Sequence, residues 1–327
     1  MGQREFDEIA SLFRPLTFGA EEAFELRDDA ALIRQVPGQD LVVTKDAIVQ
    51  GVHALESEPP FVLAQRLLRV NLSDLAAKGA VPYAALLAVA WPAEWTAEDR
   101  TAFARGLGED LRRFDVCLLG GDTVSTPGPF QASLTLLGRV PTGRMVRRGG
   151  GTVGQTLLVS GTIGDGWLGL QAARGEGDFS AEDRDWLASR YHRPEPRTDL
   201  AEEVRAACSA AADVSDGLLA DAGHVALASG TGCEIDLERV PLSPPARRWL
   251  ARQTDRAAAL VSLATGGDDY EIVAAADPAV AAQLTRSGGE AGRGWTDIGV
   301  LAPAPGLVAH MSGQPVQVSR AGWSHLE

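Results

Sequence analysis

Asp213-Val214-Ser215-Asp216-Gly217-Leu218 sets two carboxylates three residues apart around a serine, after the small apolar run Ala210-Ala211-Ala212 and before a helix-forming stretch. A strand that ends in acids and passes through a glycine turn into a helix N-terminus suits a Mg²⁺–phosphate complex. The acids hold the metal, and the hydroxyl and first helical N–H groups meet phosphate oxygens. Alone, the segment reads equally as a capped helix start, because Ser and Asp are favoured N-caps. Recurrence favours a site, because acid-plus-glycine clusters of the same style run along the whole chain.

The 327 residues suit two medium α/β domains better than one large one. Acids outnumber bases by 44 to 30, a formal charge of −14, so no basic stripe is available for nucleic acid. That balance is compatible with phosphorylated small molecules handled through divalent cations. Cys117, Cys208 and Cys233 are far apart among apolar or small neighbours and read as reduced core cysteines. The histidines show no zinc spacing. Residues 1–15 lack a signal-peptide core, and no apolar run approaches the roughly 20 residues that span a bilayer. A soluble, cytoplasmic protein without a membrane partner is expected.

Glu5 to Phe13 reads as an amphipathic helix with Phe6, Ile9, Leu12 and Phe13 on one stripe. Asp28-Asp29 opens a predicted short strand up to Ile33. A second strand, Leu41-Val42-Val43, ends in Thr44-Lys45-Asp46, with His53 just beyond. Pro59-Pro60 starts a helix that Gly79 stops, with a buried stripe of Phe61, Ala64, Leu68, Leu72 and Leu75. Leu67, Asn71, Asp74 and Lys78 form a second stripe: a solvated face, or a partly buried acid that needs a partner. Thr96 with Asp99 forms a capping box for the next helix. The strand Val116–Leu119 then ends in Gly120-Gly121-Asp122-Thr123, where backbone can approach a phosphate and the acid remains available for metal.

Between Gly143 and Gly154 the chain is rich in glycine and arginine, Arg148 included, and the domain boundary falls there: residues 1–148 and residues 149–327. This stretch reads either as a solvated linker or as arginines reaching an anionic ligand. Gly161–Gly166 reads as a tight strand–helix turn, and Gly266-Gly267-Asp268-Asp269-Tyr270-Glu271 as one more acid turn beside a strand. The chain end, Gly322-Trp323-Ser324-His325, carries an aromatic with an exposed setting. Asp29, Asp46, Asp74, Asp122, Asp213, Asp216 and Asp268 are the collected candidates. So many gathered carboxylates would repel unless cations lie between them, and Mg²⁺ is the natural choice. The residues by themselves point to a Mg²⁺-dependent enzyme acting on phosphates, with ATP as co-substrate.

In order along nearly the whole chain, Asp28–Leu32, Asp46–His53, Asn71–Ala80, Gly120–Thr123, Asp213–Leu218 and Gly266–Glu271 resemble the motifs of the thiamine-monophosphate kinases of the aminoimidazole-ribonucleotide-synthetase-like superfamily. The resemblance implies an α/β fold of α+β type in two domains. The first would bind ATP and Mg²⁺ and pair its sheet with that of a second copy in a homodimer. The second would complete the nucleotide and substrate site. It implies direct transfer of the ATP γ-phosphate to thiamine monophosphate, several Mg²⁺ ions, and catalytic roles for Asp46, Asp122 and Asp213. Metal binding would fall to Asp29, Thr44, Asp46, Asp74, Asp122, Asp213 and Asp216. Gly121, Asp122, Arg148 and Ser215 would bind nucleotide, and His53, Asp268 and Trp323 would contact thiamine monophosphate. Lys45 stands where the family usually has a hydroxyl, and Asp268 where it usually has Glu. Related readings are an aminoimidazole ribonucleotide synthetase-like enzyme or a non-catalytic binding protein. The reactive cysteines of selenophosphate synthetases and of the hydrogenase-maturation relatives have no counterpart here.

Overall fold

A computed structural model of the chain describes residues 3–287 and 294–323. The chain divides into two compact units: residues 1–75 with 80–145, and residues 76–79 with 146–327. Among the described residues, no helix is long and apolar enough to cross a membrane.

The first unit contains α1 (Gln3–Glu8), β1 (Gln39–Val49), α2 (Pro60–Ala77, whose last two residues count with the second unit), β2 (Val81–Pro92), α3 (Ala97–Arg113), β3 (Cys117–Thr126) and β4 (Gln131–Pro141). Its strands form one sheet in the order β1-β4-β2-β3, antiparallel except for the β2–β3 pair. Alternation along the strands sends Val42, Ile48, Ala85, Leu87, Leu134 and Leu136 to one face, where they join Leu63, Leu67, Leu68, Phe103 and Leu107 of the two helices in one core. Thr96 and Asp99 form the reciprocal capping box that starts α3. Gly79, at φ +68°, ends α2, and the Ala80 N–H reaches back to the Leu75 carbonyl at 2.9 Å. A buried ion pair ties the helices together, Arg69 Nε to Asp110 Oδ2 at 2.6 Å, with Gln65 donating to the same carboxylate.

Several expectations for this unit are corrected. Residues 27–33 form bends and loop rather than a strand; the edge strand β1 begins only at Gln39, where it meets Pro141 of β4. Thr44-Lys45-Asp46 does not end β1, because pairing with β4 continues to Val49. Gly120-Gly121-Asp122-Thr123 likewise lies inside β3, which stays paired to β2 as far as Thr126. At α1, the chain widens into a π-helical turn over Ile9–Phe13, which breaks the predicted stripe: Phe13 is buried, but Phe6 is 64% exposed. The Leu67–Asn71–Asp74 stripe is not a solvated face, since Leu67 and Asn71 are fully buried and Asp74 is half-buried.

The second unit holds β5 (Thr156–Ser160), α4 (Asp165–Ala173), α5 (Ala181–His192), α6 (Ala201–Ala207), β6 (Ala210–Asp213), α7 (Leu218–Ala228), β7 (Gly232–Asp236), α8 (Pro244–Leu250), α9 (Arg256–Thr265), β8 (Ile272–Ala276), α10 (Pro278–Ser287), β9 (Trp295–Ala302), β10 (Gly306–Met311) and β11 (Gln314–Val316). Its sheet runs β11-β10-β7-β9-β5-β8-β6, with only β10 and β7 parallel. Mixed, mainly antiparallel sheets with segregated helices are the α+β type. The glycine–arginine stretch is not a solvated linker. Arg147 O accepts the Ala211 N–H at 3.0 Å, and a Cβ on Gly149 would lie 2.3 Å from the Ala228 carbonyl oxygen. Only glycine lets the chain run that close to the end of α7.

Candidate functional site

In the first unit, the α2 side of the sheet gathers Thr44, Asp46 and Asp74. The Thr44 hydroxyl donates to Asp74 Oδ2, and Asn71 Oδ1 accepts the Asp46 N–H at 3.1 Å while its amide donates to Leu67 O at 2.8 Å. Asn71 thus fixes α2 against the edge strand. Burial, and then the neighbouring Asp74 charge, push the Asp46 carboxyl from the usual 3.8 up to about 6. Two close carboxylates with a hydroxyl, all hard oxygen donors, fit Mg²⁺. Strand register places Asp122 elsewhere: the row Asp122–Ala88–Ser133–Ala47 crosses the sheet on the face opposite to Thr44 and Asp46. Lys45 shares that opposite face. Gly121 lies in the row of Asp46, Leu134 and Leu87, and a Cβ there would meet the Leu87 carbonyl oxygen at 1.8 Å. Asp29 is exposed in the bend and loop stretch before β1. His53 is half-buried and accepts the Val49 N–H on Nδ1 at 3.1 Å, which puts the ring hydrogen on Nε2.

In the second unit, β6 delivers the buried Asp213, and the chain beyond it keeps pairing. Val214 N donates to Glu271 O at 2.7 Å, Tyr270 N to Val214 O at 2.8 Å, Asp268 N to Ser215 O at 2.9 Å, and Trp323 N to Asp216 O at 2.9 Å. Asp268 is therefore one hydrogen bond from Ser215, and Trp323 one from Asp216. A Cβ on Gly267 would lie 2.6 Å from Ser215 O, so the crossing requires glycine. Neither Ser215 nor Asp216 caps α7. Gly217 occupies the N-cap without a side-chain bond, and Asp221, buried in the first turn, reaches back to the Ser215 and Asp216 N–H groups. Asp216, Asp221 and His224 each place a ligand-type atom within 4.8 Å of the others. The Asp221 carboxylate, 3.7 Å from His224 Nδ1, raises the His224 pKa, and burial and the nearby Arg148 charge oppose that rise. Arg148 is exposed beside this turn, and Trp323 is 57% exposed, with the Arg320 guanidinium 5.8 Å from its ring centroid.

Two buried acids, Asp269 and Glu271, anchor the Gly266–Glu271 turn, a third, Asp165, is buried in the first turn of α4, and sequence reasoning gave none of them a role. Asp269 accepts the Gly164 and Gly166 N–H groups at 2.8 and 2.9 Å. Glu271 accepts Ser160 Oγ at 2.6 Å and Arg197 Nη1 at 2.8 Å. Asp165 accepts Ser243 Oγ at 2.5 Å. Burial raises the pKa of Asp165 and, more strongly, of Asp269. Asp165 also accepts the Thr162 hydroxyl at 2.6 Å from three residues away, but the partners of Asp269 and Glu271 lie tens of residues off, so local spacing carries no trace of those two. Asp221 had a faint signal, an acid in the first turn of a helix whose N-cap is glycine. Ser324 and His325 lie outside the described residues.

The AIR synthase related protein, N-terminal domain, matches residues 27–140, and the corresponding C-terminal domain matches residues 152–311. A thiamine-monophosphate kinase of Caulobacter vibrioides is 51% identical over 98% of this chain and 90% of its own length. The chain belongs to the AIR synthase related family, on its thiamine-monophosphate kinase branch. Among solved structures, the thiamine-monophosphate kinase of Stenotrophomonas maltophilia K279a matches with a TM-score of 0.79 at 35% identity, covering 89% of this chain and 91% of the other. AaThiL complexed with AMPPCP and TMP matches with a TM-score of 0.78 at 25% identity, over 100% and 99% of the two chains.

Proposed function

We propose that this protein is a thiamine-monophosphate kinase, which transfers the γ-phosphate of ATP directly to the phosphate of thiamine monophosphate and yields thiamine diphosphate and ADP. One observation carries the reading: Asp268 and Trp323 are hydrogen-bonded through their backbones to Ser215 and Asp216. A direct transfer needs nucleotide and acceptor groups held this close, because the reacting oxygen must sit in line with the γ-phosphorus.

In this reading, Ser215, Arg148, Gly121 and Asp122 bind the nucleotide, Ser215 through its hydroxyl and Arg148 through its guanidinium. Thr44, Asp46, Asp74, Asp213 and Asp216 hold Mg²⁺, with Asp29 and Asp122 as further ligands. When bound, Mg²⁺ would neutralise charge on the phosphate oxygens. Asp46, Asp122 and Asp213 carry the greatest catalytic weight as acids. The attacking oxygen belongs to an anionic phosphate, so no strong general base is required. His53 offers Nε2–H to a phosphate oxygen, Asp268 faces the amine-bearing or cationic end of the acceptor, and the Trp323 ring gives it a stacking surface.

The protein acts in the cytoplasm as a homodimer. Leu41, Val43, Val81 and Val124, between 41% and 57% exposed, occupy the sheet face of the first unit away from the helices. A second copy covering that face would remove this apolar area from water.

The test is purified protein with ATP, Mg²⁺ and thiamine monophosphate, followed by chromatography for thiamine diphosphate. Turnover of formylglycinamidine ribonucleotide, with no thiamine diphosphate formed, would replace this reading with the aminoimidazole ribonucleotide synthetase one.

A further inference from the structure

The turn that carries Asp268 has unusual backbone. Gly267, Asp268 and Tyr270 take φ values of +74°, +63° and +53°. Glycine adopts this left-handed region without cost, whereas a residue with a Cβ loses on the order of 1 kcal/mol there. Two such residues within three positions persist because their surroundings over-determine them. The Asp268 and Tyr270 N–H groups are tied to Ser215 O and Val214 O, and the Asp269 carboxylate between them is anchored on Gly164 and Gly166.

One consequence of this geometry is that residues 268 and 270 meet through their side chains. Tyr270 Oη donates to Asp268 Oδ1 at 3.2 Å, and both residues are half-buried. A carboxylate with one oxygen held by a phenol turns less readily about its side-chain bonds, so its direction is set before a ligand arrives. Aspartate is short, and a short acid at the end of a left-handed turn tolerates little misdirection.

We propose that Tyr270 is a positioning residue for the acceptor substrate. Its phenol fixes the Asp268 carboxylate that receives the amine-bearing or cationic end of thiamine monophosphate. The inference rests on the reading of Asp268 as a substrate contact and extends it to a residue that need not touch the substrate. It predicts an effect on acceptor binding, because the Tyr270 hydroxyl donates to the Asp268 carboxylate.

The experiment is steady-state kinetics on Tyr270→Phe, Asp268→Ala and the double variant, with Tm measured for each. Phenylalanine keeps the ring and the Cβ, so the backbone constraint is unchanged. Tyr270→Phe should raise KM for thiamine monophosphate several-fold, up to about tenfold, the cost of ordering on binding a side chain that the phenol no longer holds. Its kcat, KM for ATP and Tm should stay within experimental scatter of wild type. Asp268→Ala should raise the same KM, and adding Tyr270→Phe to it should change nothing further. If Asp268→Ala raises this KM but Tyr270→Phe does not, the positioning role is wrong and the substrate reading of Asp268 stands. If neither variant moves it, both fall. A Tyr270→Phe variant that loses Tm and affinity for both substrates, with effects that add in the double variant, also overturns the proposal in favour of a purely structural tyrosine.

Discussion

Asp221 Oδ2 accepts the backbone N–H of Asp216 at 3.1 Å, from five residues further along the chain, and holds the Ser215 N–H at the same distance. The carboxylate is almost fully buried, so the shape of the acid–serine–acid turn depends on it. Asp221→Ala leaves two N–H groups without this acceptor, which costs about 2 kcal/mol of stability. It should also raise KM for ATP and lower kcat at least tenfold, read from kinase assays at saturating thiamine monophosphate.

Asp46 yields a pH-dependent prediction. Its carboxyl titrates near 6 in the folded chain against 3.8 as its ordinary value, chiefly through burial. Between those values the folded protein holds a proton that the unfolded chain has released, so stability falls as pH rises from about 4 to about 6. Above that window the penalty is fully present, at most about 3 kcal/mol. Asp46→Asn should therefore raise the Tm of metal-free protein at pH 7.5, with the gain disappearing near pH 4. The same variant should abolish turnover. Equal Tm values at pH 7.5 would contradict the burial argument.

Asp213→Asn should abolish turnover as well, without unfolding the protein. The residue ends β6 in register with Ile272, and an amide preserves its size while removing the charge that a divalent ion needs. A normal circular dichroism spectrum with undiminished activity would remove Asp213 from the metal-binding set.

Gly121→Ala should destabilise the first unit by about 3 kcal/mol, because the new methyl would sit 1.8 Å from the Leu87 carbonyl oxygen, a backbone atom that cannot swing aside. Denaturant titration measures the loss.

Val43→Glu places a charge on the exposed sheet face of the first unit, on the edge strand β1, where Val43 is 57% exposed. If a second copy covers that face, light scattering after size-exclusion chromatography should show wild-type dimers and variant monomers. A monomeric wild type would remove the dimer from the proposal.

Much of the site was written locally. The acid motifs at 44–46, 71–74, 213–216 and 266–271 are runs of a few residues; each alone reads equally as a cap, a solvated face or a turn, and their recurrence pointed to metal and phosphate. The second strand of the first sheet was invisible for a complementary reason. Its run Ala84-Ala85-Leu86-Leu87-Ala88 is poor in β-branched residues, and its pairing with β3 and β4 supplies what propensity does not. The predicted strand at 27–33 failed in the opposite way: apolar residues were present, but the stretch forms bends and loop, and the Leu32 N–H goes to Glu22 O at 3.0 Å.

The sequence by itself determined that acids, glycines and a serine suited to metal and phosphate recur in two α/β halves, because composition and short spacing carry that information. Only the tertiary structure decided which of them meet. Strand register put Thr44 and Asp46 on the sheet face that α2, with Asp74, covers and turned Asp122 to the other face, since alternation assigns faces only once the pairing is known. Pairing beyond β6 stitched Asp268 to Ser215 and Trp323 to Asp216 across gaps of more than fifty and more than a hundred residues. Asp213 to Leu218 thereby changed from a possible helix cap into the strand extension on which the proposed nucleotide and substrate residues are mounted.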